Sequence, residues 1–151
     1  MSEEADGKAP GERQSGRTGK TGIRGSDTTT DGIRVQVRTT YLADRSSPRE
    51  HQFYFAYTIT VSNVGDTTAQ LISRHWIITD SEHQVQEVKG SGVVGQQPLL
   101  QPGESFEYTS GTSLQTPVGT MRGTYHMVAA DGHAFEAHIP IFTLSVPRVL
   151  H

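Results

Sequence analysis

The chain has 151 residues, contains no cysteine and carries a formal net charge of −3. Its length suits one domain with a short appendage, and the lack of cysteine excludes disulfides, thiolate catalysis and cysteine-based zinc sites. Because the basic residues form no stripe and no apolar run approaches the ~20 residues of a membrane span, we expect no nucleic-acid binding and no membrane insertion.

The N-terminal segment differs in composition from the rest of the chain. Residues 1–31 contain six glycines and few apolar side chains. Such a segment cannot bury enough apolar surface to offset the roughly 1–2 kcal/mol of backbone entropy that each ordered residue loses. The sequence therefore predicts a disordered tail over residues 1–31 and a folded domain over residues 32–151. Since the segment also lacks the apolar core of a secretory signal, we expect a cytoplasmic protein.

The first half of the domain has the period of β-strands. Apolar and polar residues alternate over 33–41 and again over 53–61, which predicts two strands that each have one buried face. Residues 71–79 are apolar on both parities, as in a strand that is covered on both faces. Shorter alternating segments at 82–89 and 106–110 predict two more strands.

Two further strands are predicted at 119–129 and 133–145, joined at Asp131-Gly132, a dipeptide that favours a two-residue type I′ hairpin turn. Pro140 lies inside the last strand and predicts an edge position or a bulge, because proline cannot donate to the ladder. No helical period is sustained anywhere. The chain is therefore predicted to be all-β, an immunoglobulin-like or fibronectin type III β-sandwich of about seven strands in two antiparallel sheets.

One loop of the predicted sandwich carries the pattern G-x-G-x-x-G at Gly90, Gly92 and Gly95. In a dinucleotide-binding fold this motif opens a helix, but Val93-Val94 resists helix formation and no amphipathic helix follows. We interpret the motif as a tight loop between strands, with the two valines packed on the core. The alternative is a nest of backbone N–H groups that binds an anion.

Several stretches together closely resemble the bacterial ApaG proteins, in the same order and spacing. They are Arg74-His75-Trp76, Gly90 to Pro98, Pro102 to Gly111, Thr116 to Tyr125 with one insertion at Thr124, and Ile139 to Phe142, followed by Leu150-His151. The resemblance covers residues 33–151 and leaves the tail outside it.

The resemblance implies a fold similar to fibronectin type III sandwiches. It also implies an indirect link to cobalt and magnesium efflux, which is known for the family as a phenotype. Similar domains occur in certain F-box proteins and in a DNA-polymerase-delta-interacting protein, where they are regarded as protein-interaction modules. The family has no established catalytic residues, so none can be transferred to this chain.

Catalytic and metal sites find little support in the sequence. The histidines at 75, 83, 126, 133 and 138 show no recognised ligand spacing. Counting outward from the Asp131-Gly132 turn places His126 and His138 on opposite faces of their hairpin. We therefore expect no metal, no cofactor and no catalytic residue.

We predict a non-enzymatic binding module that recruits a protein partner and is a monomer or a weak homodimer. An irregular loop on a rigid sandwich is a common recognition site. The predicted binding residues are Arg74, His75, Trp76, Gly90, Gly92, Gly95, Gln96 and Gln97. The alternative is a sensor that binds a small anion, such as pyrophosphate or a nucleotide, or a divalent metal through the glycine-rich loop.

Overall fold

The computed structural model describes residues 24–147, which form two antiparallel sheets packed face to face. This confirms the predicted all-β sandwich. Within the described range no helix is long and apolar enough to cross a membrane. The strands are β1 Arg24–Thr30, β2 Ile33–Tyr41, β3 Phe53–Asn63, β4 Ala69–Asp80, β5 Val85–Ser91, β6 Leu99–Leu100, β7 Ser105–Leu114, β8 Val118–Ala129 and β9 Ala134–Ser145, with 3-10 turns at Ala43–Arg45 and Pro48–Glu50.

The first sheet has the strand order β1-β2-β3-β7, and the second has the order β5-β4-β8-β9. The short strand β6 pairs with the beginning of β4, on the same side as β5. The chain crosses between the sheets after β3, β6 and β7, so that β7 joins the sheet of the first three strands, and such crossings are typical of immunoglobulin-like and fibronectin type III sandwiches.

Strand β1 corrects the predicted boundary of the tail, because residues 24–30 pair with β2 along their whole length. Asp31 and Gly32 both have positive φ and close a two-residue hairpin turn, and Arg34 donates to Asp27 at 2.6 Å across it. Composition gives no sign of this strand because a backbone ladder needs no apolar side chains of its own. The disorder predicted for residues 1–23 lies outside the described residues.

Strand β4 is apolar on both parities because it contains a bulge. Its register against β8 shifts at Ile72. The inward-facing residues are Ala69 and Leu71 before the bulge and Trp76 and Ile78 after it, and all four are buried. The predicted covering on both faces is therefore wrong: a bulge exchanges the faces within one strand.

Strand β9 contains the predicted irregularity at Pro140. Two of its residues, Pro140 and Ile141, lie opposite the single residue Arg122 of β8, which confirms a bulge. Consequently Ala137 and Ile139 face the core before the bulge, and Phe142 and Leu144 face it afterwards.

The hairpin between β8 and β9 differs from the predicted turn. Only Gly132 has positive φ, and Ala129 N donates to His133 O at 2.9 Å, so the loop has one residue more than a type I′ turn. As a result His126 pairs with Glu136, and His138 lies diagonally from His126 on the same face. The prediction that the two histidines occupy opposite faces is wrong, because one extra loop residue moves every side chain to the other face.

An aromatic cluster joins the two sheets at the centre of the core. Trp76 from the second sheet packs edge-on against Tyr57 of the first, with ring centroids 5.4 Å apart, and against Phe142 at 5.9 Å. Beside it the hydroxyl groups of Tyr108 and Tyr125 hydrogen-bond to each other across the sandwich at 2.5 Å. Both tyrosines are buried, so each hydroxyl depends on the other for its partner.

We predict that removing one of the two tyrosine hydroxyls lowers the free energy of unfolding by more than half of what removing both does. Tyr108→Phe or Tyr125→Phe alone leaves a buried hydroxyl unsatisfied and lowers the free energy of unfolding by about 1–3 kcal/mol. The double substitution removes both hydroxyls, so its cost is less than the sum of the two. Urea unfolding of the four proteins measures the coupling, and the exposed Tyr54→Phe is the control. Strictly additive losses would contradict the proposed dependence.

Candidate functional site

The sandwich is closed on one side and open on the other. On the closed side β1 lies against β9, where Thr30 Oγ1 accepts a hydrogen bond from His138 N at 3.3 Å. On the open side β7 and β5 are the facing edges of the two sheets. A groove of about 1060 Å³ lies between them.

The groove exists because β7 carries small side chains on its inner face. The alternation that buries Tyr108 and Leu114 also turns Ser110 and Thr112 inward, and both remain half-buried. Neither side chain is long enough to reach the opposite sheet, which lies about 10 Å away in packed sandwiches. Larger apolar residues at these two positions would fill the space between the sheets.

The opposite wall and the floor of the groove are largely apolar. Val88 and Gln86 of β5 form the wall, and Tyr57, Trp76 and Met121 lie at the floor. The loop that follows β5 closes one end of the groove with Val93, Val94 and Gly95.

Arg74 extends into this groove from β4. It shares the inward-facing parity of Trp76, so its charged group lies between the sheets. Its Nη1 donates hydrogen bonds to the carbonyl oxygens of Ser91 at 3.0 Å and Gly92 at 2.8 Å. None of the ion pairs within residues 24–147 includes Arg74. The groove therefore contains a half-buried cation whose charge has no carboxylate partner in the described part of the chain.

Gly90 determines where the guanidinium lies. Gly90 is opposite Arg74 on β5, and a Cβ at this glycine would be 2.9 Å from Cζ, Nη1 and Nη2 alike. Equal distances to three atoms of the planar group show that the guanidinium stacks flat over the backbone. A larger residue would displace it.

The remaining glycines of the motif shape the loop between β5 and β6. Gly92 N donates to Ile72 O at 2.8 Å, which anchors the loop to the bulge of β4. Val94 and Gly95 both have positive φ, and Val93 and Gln96 exchange backbone hydrogen bonds of 2.8 Å around them. The loop is thus a short hairpin with Val93 buried in the core.

This geometry favours the loop interpretation over an anion nest. The N–H groups of Gly92, Val93 and Gln96 all donate to carbonyl oxygens of the chain itself. An anion nest needs successive N–H groups that point toward one open point. In this loop the backbone carbonyls instead accept from Arg74, so any anion in the groove would meet the arginine first.

The predicted binding residues do not share one surface. His75 faces the outer side of the second sheet, where it contacts Glu87, because successive strand residues point to opposite faces. Trp76 is only 2% exposed and serves the core. Gln96 and Gln97 lie at the exposed end of the loop, where Gln97 Nε2 donates to Ile72 O at 2.9 Å.

Sequence reasoning did not identify Tyr57, Val88, Ser110 or Thr112 as site residues. The signal available for the last two was small polar residues at inward-facing strand positions. Tyr57 and Val88 belong to the site only because the packing of the sheets places β5 opposite β7 across the groove.

The tyrosines around the groove are strongly affected by their surroundings. Burial raises the pKa of Tyr57, and the Ser110 side chain partly offsets this shift. Burial also raises the pKa of Tyr108 and of Tyr125 well above their ordinary range. The charge of Arg74 offsets a small part of the rise in the pKa of each of the three tyrosines.

No group of three or more potential metal ligands lies together anywhere in residues 24–147. His126 and His138 share a face, yet the nearest side chains do not complete a cation site with them. The described side chains therefore give no argument for metal binding.

The glycines of the loop predict three different costs on substitution to alanine. A Cβ at Gly92 would be 2.2 Å from the backbone oxygen of Gln96, at φ +58°, so Gly92→Ala lowers the unfolding free energy by at least ~2 kcal/mol. Gly95→Ala has the positive φ without a clash and costs about 1 kcal/mol. Gly90→Ala meets only a flexible side-chain end and costs under ~1 kcal/mol. Urea unfolding measures all three, and equal losses would contradict the assigned roles.

Comparison with known proteins identifies the family of this chain. A family model described as the ApaG domain matches residues 43–129. Protein ApaG of Thiobacillus denitrificans is 64% identical over 119 residues, which cover 79% of this chain and 94% of that protein. Protein ApaG of Ralstonia nicotianae is 63% identical over 119 residues, which cover 79% of this chain and 96% of that protein.

A solved structure agrees with this assignment. The crystal structure of a Bordetella pertussis protein described as ApaA superposes with a TM-score of 0.76 at 57% identity, and the match covers 78% of this chain and 95% of that one. The groove and the loop described above lie largely within the matched region. The chain therefore belongs to the ApaG family.

Proposed function

We propose that the protein is a non-enzymatic module that binds a protein partner in the groove between β5 and β7. The observation that carries the proposal is Arg74, a cation with no carboxylate partner among residues 24–147, which stands in a groove of mixed polar and apolar lining that is open to solvent. Arginine and aromatic residues are enriched at protein interfaces, where they act as anchors.

The lining of the groove favours binding over catalysis. It contains no histidine, and its one carboxylate, Asp44 of the 3-10 turn Ala43–Arg45, forms none of the described ion pairs with Arg74. A general acid or base that works near neutral pH would normally be one of these residue types. The link of the family to cobalt and magnesium efflux would then be indirect and run through the bound partner.

Removing the charge of Arg74 is predicted to abolish partner capture. Arg74→Met keeps the length and the apolar stem of the side chain but removes the charge. Arg122→Met makes the same change at an exposed position on the outer face of the second sheet. In a pull-down from cell lysate, proteins held by the wild type should remain with Arg122→Met and disappear with Arg74→Met. Identical capture by Arg74→Met with an intact fold would refute the groove as the binding site.

Binding of a small anion is the second candidate function, and the same residue supports it. Only Nη1 of Arg74 has a hydrogen-bond acceptor within the described residues, so Nε and Nη2 can donate to a phosphate or a carboxylate.

Titration of pyrophosphate, with amide NMR shifts as the signal, tests this second candidate. Saturable shifts at the groove that Arg74→Met removes would support it. No saturable shift at millimolar pyrophosphate would refute it. Co²⁺ and Mg²⁺ are titrated alongside as the test of the divalent-metal alternative.

A further inference from the structure

We propose that β7 is an acceptor edge: an extended acidic segment of a partner protein adds to it as a further strand and places one carboxylate on Arg74. This inference rests on the proposed binding function and specifies the chemistry of the partner. It follows from the state of the sheet edges, the course of the groove and the charge within it.

The edges of the two sheets differ in how they are protected. Edge strands normally carry charges, prolines or bulges, or are covered, because an open edge pairs with other chains. On the closed side β9 has its bulge at Pro140 and is covered by β1. On the open side β5 carries Glu87 and Lys89.

In the part of the chain that the structure describes, strand β7 has none of these protections along most of its length. It pairs with β3 in unbroken register over residues 105–114. From Tyr108 to Leu114 it contains neither a charged residue nor proline. Its N–H and C=O groups on the side away from β3 are therefore available to pair with another strand.

The groove follows both faces of β7, as a site for an added strand should. On the inner face it passes Ser110 and Thr112, and on the outer face it passes Thr109, Gly111 and Ser113. Tyr54 and Arg45 also belong to its lining. Because side chains of an extended peptide alternate, successive residues would enter the inner and the outer part of the groove in turn.

The charge in the groove specifies one of those residues. Arg74 lies on the inner side, where its charge offsets part of the rise that burial causes in the pKa of Tyr57 on β3 and of Tyr108 on β7. A side chain that enters the inner part therefore meets a guanidinium with free donors. A carboxylate suits this position best, because it accepts two parallel hydrogen bonds from arginine.

A second copy of this chain does not supply that carboxylate. Pairing of two β7 strands would bring residues 108–114 of one copy against the same residues of the other, and these contain no acidic side chain. Glu107, at the start of the strand, faces outward and pairs with Arg38 at 3.2 Å. The β7 strand of a second copy therefore offers no carboxylate, and we assign the occupant to a segment of a different protein.

Selection of peptides on the purified protein tests the charge requirement. Random peptides of ten residues, as long as β7, are displayed on phage, selected on the wild type and measured again on the variants. We expect enrichment of sequences with one aspartate or glutamate among β-branched residues and without central proline. The dissociation constant should rise about tenfold to a hundredfold with Arg74→Met, rise as well with Gly90→Ala, which displaces the guanidinium but keeps the charge, and stay unchanged with Arg122→Met.

Amide hydrogen exchange with the best selected peptide tests the added strand. Amides of β7 that point away from β3 should gain protection, and the amides of β5 should not. A peptide that requires Arg74 yet leaves β7 unprotected overturns the strand addition while the proposed groove stands. Peptides that lack acidic residues, or that bind Arg74→Met equally well, overturn the acidic partner. Failure to select any peptide overturns the inference, whereas the lysate capture decides separately on the proposed function.

Two further outcomes would assign the site to a different occupant. Protection of β7 that grows with protein concentration alone would assign the edge to a second copy. Full competition by pyrophosphate without β7 protection would assign the groove to a small anion.

Discussion

The contact of Trp76 with Tyr57 and Phe142 is the interaction on which the rest of the structure depends. It joins the inner faces of the two sheets at their centre, and each ring comes from a different strand. Burying large aromatic side chains contributes most of the favourable free energy in a core of this kind. The strict alternation of β3 and the bulges of β4 and β9 all serve to present these rings to one another.

The same alternation that buries Trp76 also carries a charge into the sandwich. Arg74 is two residues earlier on the same face, so the core cannot present the tryptophan inward without presenting the arginine as well. The open side between β5 and β7 makes this position tolerable, because the guanidinium lies over Gly90 and donates to two loop carbonyls instead of entering the apolar core. The glycine-rich loop is thus the support of the arginine and one end of the groove.

Much of the fold could be predicted from the chain alone, and the failures have local physical causes. The period-two segments at Ile33 and Phe53 became strands because alternation directly reports a sheet with one buried face. Strand β1 was missed because its side chains give no apolar signal, although Asp31-Gly32 marked its hairpin turn. The prediction that His126 and His138 lie on opposite faces was wrong because the loop has one additional residue, which changes the register. The length of such a loop is set by its φ angles and cannot be read from composition. Of the predicted site, the loop residues were found by their irregularity, whereas His75 was included as the middle residue of the Arg74-His75-Trp76 motif and faces the outer side of the sheet.

By itself the sequence determined the β-class of the domain, an irregularity at Pro140 and the shaped loop at Gly90 to Gln97, since each follows from local periodicity or backbone preference. Only the tertiary structure decided that Ser110 and Thr112 face Val88 across an open groove. It also decided that, within residues 24–147, β1 covers β9, β7 pairs on one side alone and Arg74 has no carboxylate partner. These facts depend on which strands become neighbours, and pairing between segments far apart in the chain leaves no mark in the local pattern of either segment.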